Sequence, residues 1–254
     1  MKIVASVQAR MGSKRFPGKV LKKVCGIPLL VHQCQRLKNS KIIDHVIVAT
    51  TDNSLDDEIE TVCKKFKIDF FRGSENDVLC RVSNLIEMFS ADLHVECFGD
   101  SPFVDPEIID QFLGYIIKNY SSLDFVSNTL KSTYPPGFEV IIYKGKILLD
   151  VNNNLKKTDK HREHVGYNIT RFPKKYRIKN IKAPEWYNFP NLHLEVDEPV
   201  DLELISFIIE YFDNKGIKFY NLAQILDVIK KNPEISKINS NIKRRWKDLQ
   251  NNDV

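Results

Sequence analysis

The sequence contains no apolar run approaching the length of a membrane span, so no transmembrane helix is expected. Its first residues enter a strand-like apolar pattern at once, so no signal peptide is expected either. Cysteine is sparse: the five at positions 25, 34, 63, 80 and 97 are odd in number and show no CxxC spacing. That pattern reads as free thiols in a reducing cytoplasm. Internal repeats are absent, and Asn152-Asn153-Asn154 with the Lys/Asn-rich termini is compositional bias.

Positive charge is also narrow. The formal charge is +5, but Lys237, Lys243, Arg244, Arg245 and Lys247 against Asp248 and Asp253 give the segment after Ile235 a net +3. The body is therefore nearly neutral, whereas a sequence-independent nucleic-acid binder needs a broad basic face. Ile238, Ile242, Trp246 and Leu249 recur near helical spacing. Residues 236–254 are thus expected to form a basic C-terminal helix or tail docked on the body, with a disordered end.

The 254 residues suffice for one large core, or for a main domain with a small appendage. Across 1–128, strands are expected at 2–7, 45–50, 68–71, 93–98 and 124–127. Helices are expected near 28–39, 55–66, 77–90 and 106–119. Pro28 and Pro106 sit where a first helical turn tolerates proline. Ser54 with Asp57 resembles an acidic capping box. Such alternation implies an α/β fold, with a mostly parallel twisted sheet and helices on both faces. Ligands bind at the carboxyl ends of such strands. The regularity breaks over about 129–190, where Pro135-Pro136-Gly137 forces a turn ahead of a strand at 138–143. This stretch reads as an insertion packed beside the sheet, within one domain over 1–235; in families of this kind such a part often binds the acceptor and forms the dimer. A strand at 192–196 then returns to the sheet, and helices at 199–213 and 221–231 close it.

The loop after the first strand, Val7-Gln8-Ala9-Arg10-Met11-Gly12-Ser13-Lys14-Arg15-Phe16-Pro17-Gly18-Lys19, supplies four cations and two glycines within ten residues. A polyphosphate needs that chemistry: close backbone N–H groups and side-chain charge. It is not a P-loop. Five residues separate Gly12 from Gly18, Pro17 lacks an amide donor, and Val20 follows Lys19 where Ser or Thr is required. The carboxyl ends of two further segments carry carboxylates. Asp100, in Phe98-Gly99-Asp100-Ser101-Pro102, faces the same crevice, where a carboxylate beside triphosphate serves as a Mg²⁺ ligand or else as a turn cap. In Glu195-Val196-Asp197, an extended strand would put both acids on one face.

The first loop resembles the signature of the sugar cytidylyltransferases, closest to the SpsF-like branch with its QARMGSxRLPGK; Phe16 stands for the usual Leu. CMP-KDO synthetases and acylneuraminate cytidylyltransferases carry looser versions. The family's GDxPxxxPxxI matches Gly99 to Ile108, and its TVDxPxDLxL matches 196–204, with Glu195 in place of Thr. Thr50-Thr51-Asp52 is similar to the family's ATxD stretch. Arg72-Gly73-Ser74-Glu75-Asn76-Asp77-Val78-Leu79-Cys80-Arg81 is similar to RGSEDDVLxR. Tyr134 to Glu139 and Arg162 to Val165 resemble YPxGxxxE and REHV, although Ile141 replaces a second acid. His161 and His164 flank Glu163, but no further Cys/His cluster completes a zinc set.

The resemblance implies a nucleotide-diphospho-sugar-transferase-like, Rossmann-like fold. It implies a Mg²⁺-dependent cytidylyltransferase that moves CMP from CTP to an acidic sugar or related acceptor, releases pyrophosphate and serves surface polysaccharide synthesis. Arg10, Arg15 and Lys19 are then the catalytic cations. Gln8, Ala9, Met11, Gly12, Ser13, Thr51, Asp52, Gly73, Ser74 and Asp77 line the nucleotide. Arg81, Tyr134, Glu139, Arg162 and His164 meet the acceptor, and Asp100 and Asp197 hold Mg²⁺. A cytoplasmic homodimer is implied, without nucleic-acid or membrane partners. A metal-dependent glycosyltransferase using a nucleotide sugar, or a non-catalytic nucleotide-binding protein, are the alternatives.

Overall fold

The computed structural model describes residues 1–242. The expected apolar contacts of Trp246 and Leu249 lie outside the described residues. Strand β1 (Ile3–Gln8) is followed by a short β2–β3 hairpin (Lys23–Val24, Ile27–Pro28) and α1 (Leu29–Leu37). Then come β4 (His45–Thr51), α2 (Asp57–Phe66), β5 (Asp69–Gly73), α3 (Val78–Phe89), β6 (Leu93–Phe98) and α4 (Pro106–Lys118). The chain continues through β7 (Phe125–Ser127), β8 (Ile141–Lys144), α5 (Gly145–Asn154), α6 (Tyr167–Thr170), β9 (Ile178–Asn180), α7 (Pro199–Asp213) and α8 (Leu222–Lys231).

Among the described residues, seven strands form one sheet in the order β5-β4-β1-β6-β8-β7-β9. β5, β4, β1 and β6 run parallel, and β8 is antiparallel to both its neighbours. Alternation along β1 sorts the core. Ile3, Ala5 and Val7 join the apolar layer under α1, α2, α4, α7 and α8; Val4 joins the layer under α3, α5 and α6. Helices therefore cover both faces, as the fold requires of a buried parallel sheet. Each fully buried Leu or Ile in these layers contributes roughly 2 kcal/mol.

Several local expectations change. Asn53, not Ser54, caps the turn ahead of α2, its side chain accepting the Leu55 N–H at 3.0 Å. The β2–β3 hairpin was not expected; its turn residues Cys25 (φ 50°) and Gly26 (φ 76°) both lie left-handed, which a two-residue hairpin turn demands. Within 129–190, β8 inserts between β6 and β7, and β9 forms the sheet's edge. Ile178-Lys179-Asn180 gave no strand signal because a short edge strand has one partner and tolerates polar residues. The expected strand at 192–196 is not in the sheet. In that segment the Leu194 N–H donates to the Pro136 carbonyl and the Val196 N–H to the Asp100 carbonyl, both at 2.8 Å. It is laced between two loops because its neighbours there are turns, not a strand.

Candidate active site

The first loop leaves β1 at the middle of the sheet, between β4 and β6. Backbone bonds fix it on both sides: the Ala9 N–H donates to Ala49 O at 3.2 Å, and the Gly99 N–H to Gln8 O at 2.9 Å. The Met11 carbonyl accepts the N–H groups of Ser13 (2.9 Å) and Gly18 (3.0 Å), which curls residues 11–18 into a closed turn. Gly18 has φ 68°, and a Cβ there would lie 3.2 Å from Met11 Cε. This left-handed residue starts a 3₁₀ turn, Lys19–Leu21, that carries Lys19 back over the strand ends.

There Lys19 Nζ donates to Asp100 Oδ2 at 2.7 Å and to Asp197 Oδ1 at 3.0 Å. Arg15 Nη2 lies 2.8 Å from the same Asp197 oxygen, and its Nη1 3.6 Å from Glu198 Oε1. Burial works against the Lys19 charge, but Asp100 and Asp197 outweigh it, so its pKa is raised and it stays an ammonium. The two aspartates come from stretches separated by nearly a hundred residues. The Val196-to-Asp100 backbone bond joins their loops directly. Asp201 holds the second loop from below: its Oδ2 accepts the N–H groups of Asp197 (2.9 Å) and Glu198 (2.7 Å), while its Oδ1 accepts Asn239 Nδ2 at 2.8 Å. Asp201 is thus part of the α7 capping box, the structural role its sequence position suggests.

A divalent cation fits this pair. A single ammonium already bridges both carboxylates, and Mg²⁺ characteristically takes one or two carboxylates and completes its shell with phosphate oxygens and water. Glu139 and Glu195 border it. The Glu139 carboxylate accepts the Gly137 N–H at 2.9 Å, and burial, with Glu195 and Asp100 nearby, pushes it up to about 8. Gly137 (φ 101°) presses on the 194–195 backbone, since a Cβ there would lie 2.5 Å from Leu194 O.

On the β4–β5 side stands a residue the sequence reading missed. Asp56 is buried; its Oδ1 accepts the Met11 N–H at 2.7 Å, and its Oδ2 accepts the Thr51 hydroxyl. It ties the first loop to the end of β4. The signal was present as a carboxylate in the short turn after a strand, but such residues usually only cap. Thr51 is therefore committed to Asp56, whereas Asp52 is exposed and donates its N–H to Gly73 O at 2.9 Å. Glu75 accepts Asn53 Nδ2 at 2.8 Å and stands 3.9 Å from where a Cβ on Gly12 would be, so the 73–77 turn adjoins the first loop. Ser74 Oγ accepts the Asp77 N–H at 3.1 Å.

Other residues assigned by resemblance have structural partners. Asp77 caps α3 through the Cys80 N–H at 2.9 Å and accepts Arg162 Nε at 2.9 Å. Arg162 is buried, and also donates to Asn152 Oδ1 at 2.5 Å and Leu155 O at 3.3 Å. Arg81 is buried against Gly73 and donates to Ser74 O at 2.6 Å. Tyr134 is buried, its ring meeting Phe112 and Tyr187 at 6.3 Å each. His164 is exposed and lies 3.3 Å from Glu163. The structure brings Arg15, Lys19, Asp100 and Asp197 together, and Met11, Thr51 and Asp56 beside them. It does not draw His164, Tyr134 or Arg162 into that cluster.

Comparison with known proteins adds a consistent set of relatives. The cytidylyltransferase family model matches residues 4–224. An uncharacterized protein of Methanocaldococcus jannaschii is 34% identical over 96% of this chain and 97% of its own. The spore coat polysaccharide biosynthesis protein SpsF of Bacillus subtilis is 30% identical over 91% and 95%. A cytidylyltransferase structure from Leptospira borgpetersenii superposes with a TM-score of 0.88 at 29% identity, covering 96% of this chain and 100% of that one. A CMP:2-keto-3-deoxy-manno-octonic acid synthetase solved with CTP shares the fold, with a TM-score of 0.63 at 16% identity over 83% and 99%.

Proposed function

The chain belongs to the cytidylyltransferase family, and from that premise we propose that it transfers CMP from CTP to an acidic sugar or related acceptor in surface polysaccharide synthesis, releasing pyrophosphate. The bridging of Asp100 and Asp197 by Lys19 carries this reading. An acceptor oxygen attacks the α-phosphorus in line with departing pyrophosphate. Phosphoryl transfer of this kind asks the protein mainly for positioning and charge neutralisation. In this reading, the curled 10–18 loop presents backbone N–H groups to the triphosphate, with Arg10, Arg15 and Lys19 supplying charge. When the nucleotide enters, the Lys19 ammonium exchanges carboxylates for phosphate oxygens. Asp100 and Asp197 would hold Mg²⁺, which when bound neutralises phosphate oxygens and acidifies an acceptor hydroxyl. The base side is assigned to Gln8, Asp52 and the 73–77 turn. Glu139, whose carboxyl is pushed upward by burial and by the neighbouring Glu195 and Asp100, is assigned to the acceptor side.

A cytoplasmic homodimer is proposed with it. The 129–190 segment exposes Leu130, Phe172, Trp186 (70%) and Phe189, an unusual apolar load for one stretch. Sedimentation of the wild type and of Trp186→Glu tests this, dissociation by the variant being the expected outcome. The chemistry is tested by pyrophosphate release from CTP across an acceptor panel, with and without Mg²⁺. Release that requires both acceptor and metal is expected. Transfer from a sugar nucleotide without pyrophosphate would instead indicate a glycosyltransferase.

A further inference from the structure

Beneath the first loop, on the α3 side of the sheet, lies a polar network that the reaction chemistry does not use. Ser6 and Gln8 alternate along β1, His94 and Glu96 along β6, and Tyr143 stands on β8 opposite His94. His94 Nε2 is 2.9 Å from Ser6 Oγ, and its Nδ1 is 2.9 Å from the Tyr143 hydroxyl. Gln8 Nε2 donates to Glu96 Oε1 at 3.1 Å. Ser6, His94 and Tyr143 are fully buried, and Glu96 is 3% exposed. Gln8 is half-buried at the strand's carboxyl end, where the nucleotide loop begins.

Unlike Asp100 and Asp197, Glu96 has no cationic partner among the described residues. The groups around it are Gln8 from β1, Tyr143 from β8, the Gly166 N–H ahead of α6, and His94 and Cys97 on its own strand. None is positively charged at neutral pH, because burial holds His94 down to about 3. Among the described residues Glu96 Oε2 has no partner within hydrogen-bond distance, while the Tyr143 hydroxyl and the Gly166 N–H favour the charged form of the carboxyl. Burial accordingly pushes Glu96 up to about 7.

The two states of Glu96 ask different things of Gln8. An ionised carboxylate only accepts, so it fixes the amide with Nε2 turned inward. A protonated one also donates, and tolerates the flipped amide with Oε1 inward. We propose that Glu96 is a positioning residue: ionised, it holds the Gln8 amide so that Gln8 Oε1 is presented to the nucleotide as a fixed acceptor for an amine or hydroxyl donor, and protonation releases that orientation. The ligand half of this statement rests on the CTP-binding reading above; the coupling of Glu96 to Gln8 does not.

The test separates the two halves. In full-length ¹⁵N-labelled protein, the Gln8 side-chain amide resonances, identified by their loss in Gln8→Leu, are followed from pH 5.5 to 8.5. They should titrate with a midpoint near pH 7 in the wild type and stay flat in Glu96→Gln. If Glu96→Gln does not fold, Tyr143→Phe should move the midpoint upward, since the hydroxyl favours the ionised form. Flat wild-type resonances, a titration that survives Glu96→Gln, or an unmoved midpoint in Tyr143→Phe overturns the coupling. Calorimetry with CTP and Mg²⁺ at pH 6 and 8 reads the ligand half. The wild type should gain about fivefold more affinity between these pH values than Glu96→Gln, the worth of one hydrogen bond. Equal gains overturn the presentation of Oε1. A Gln8 titration with no CTP binding at all would overturn the nucleotide reading while the coupling stood.

Discussion

The carboxylates at Asp100 and Asp197, in the loops beyond β6 and before α7, and the one at Glu96, within β6, solve burial in opposite ways. The first two are held charged by Lys19 and Arg15. Among the described residues Glu96 has only neutral partners, and burial pushes it up to about 7. A buried charge needs either a countercharge or a proton. Where a ligand brings its own negative charge, cations that can change partners are useful. Where a side chain only has to be oriented, a neutral network suffices.

Removing the countercharge gives the largest expected effect. Lys19→Ala should slow pyrophosphate release by roughly 10²–10³-fold, the scale of losing one preorganised electrostatic donor. The melting temperature should fall far less than the rate, because Arg15 and, when present, Mg²⁺ still face Asp197. A folded Lys19→Ala enzyme with normal turnover would refute the phosphate assignment. The same logic applies away from the crevice. Asp124 accepts Lys144 Nζ at 3.1 Å and Arg177 Nη2 at 2.8 Å, and Arg177 foremost holds its carboxyl well below the usual range. Asp124→Asn should cost about 3 kcal/mol in urea unfolding at pH 7, since it strands the buried Lys144. Because the Asp124 pKa is depressed, the wild type's advantage is present above pH 4 and lost as pH falls further.

Glu96 should show the reverse sign. Its carboxyl titrates near 7 when folded and near 4.5 in the unfolded chain, so its stabilising term is complete below pH 4.5 and drains away as pH rises to 7. Relative to the wild type, Glu96→Gln should therefore gain about 3 kcal/mol between pH 4.5 and 8 by denaturant unfolding. Parallel curves for the two proteins would show that Glu96 is ionised at little cost. The smallest effect concerns the loop anchor. Asp56→Asn weakens its bonds to Met11 N–H and Thr51 and should lower kcat/KM for CTP by about tenfold, from a loosened loop geometry.

Much of this molecule was legible as periodicity. The buried runs at Ile3-Val4-Ala5 and Val46-Ile47-Val48, and the amphipathic stretches between strands, left little choice but a parallel sheet covered on both faces. Lys19, Asp100 and Asp197 were legible as chemistry, because cations and carboxylates at strand ends have few uses together. Asp56 and Glu96 were not. Asp56 is one aspartate in an Asn/Asp-rich turn, and Glu96 sits inside an apolar strand where a single acid gives no hint of its partners. Arg162 and Asp77 carried family-like patterns, and the structure shows them bonded to each other. The segment 193–197 alternates like a strand, and its N–H groups do alternate, but they bond loops.

The sequence by itself determined the alternation of the parallel strands β1, β4, β5 and β6 with their helices, the faces these bury and the nature of the first loop, because periodicity and turn chemistry act over a few residues. Only the tertiary structure decided that Val196 would bond Asp100, that Asp56 would grip Met11, and that Glu96 would meet Gln8 with no cation beside it among the described residues. Those outcomes depend on which segments become neighbours across 45 to 96 residues of chain, a matter of packing that no local pattern encodes.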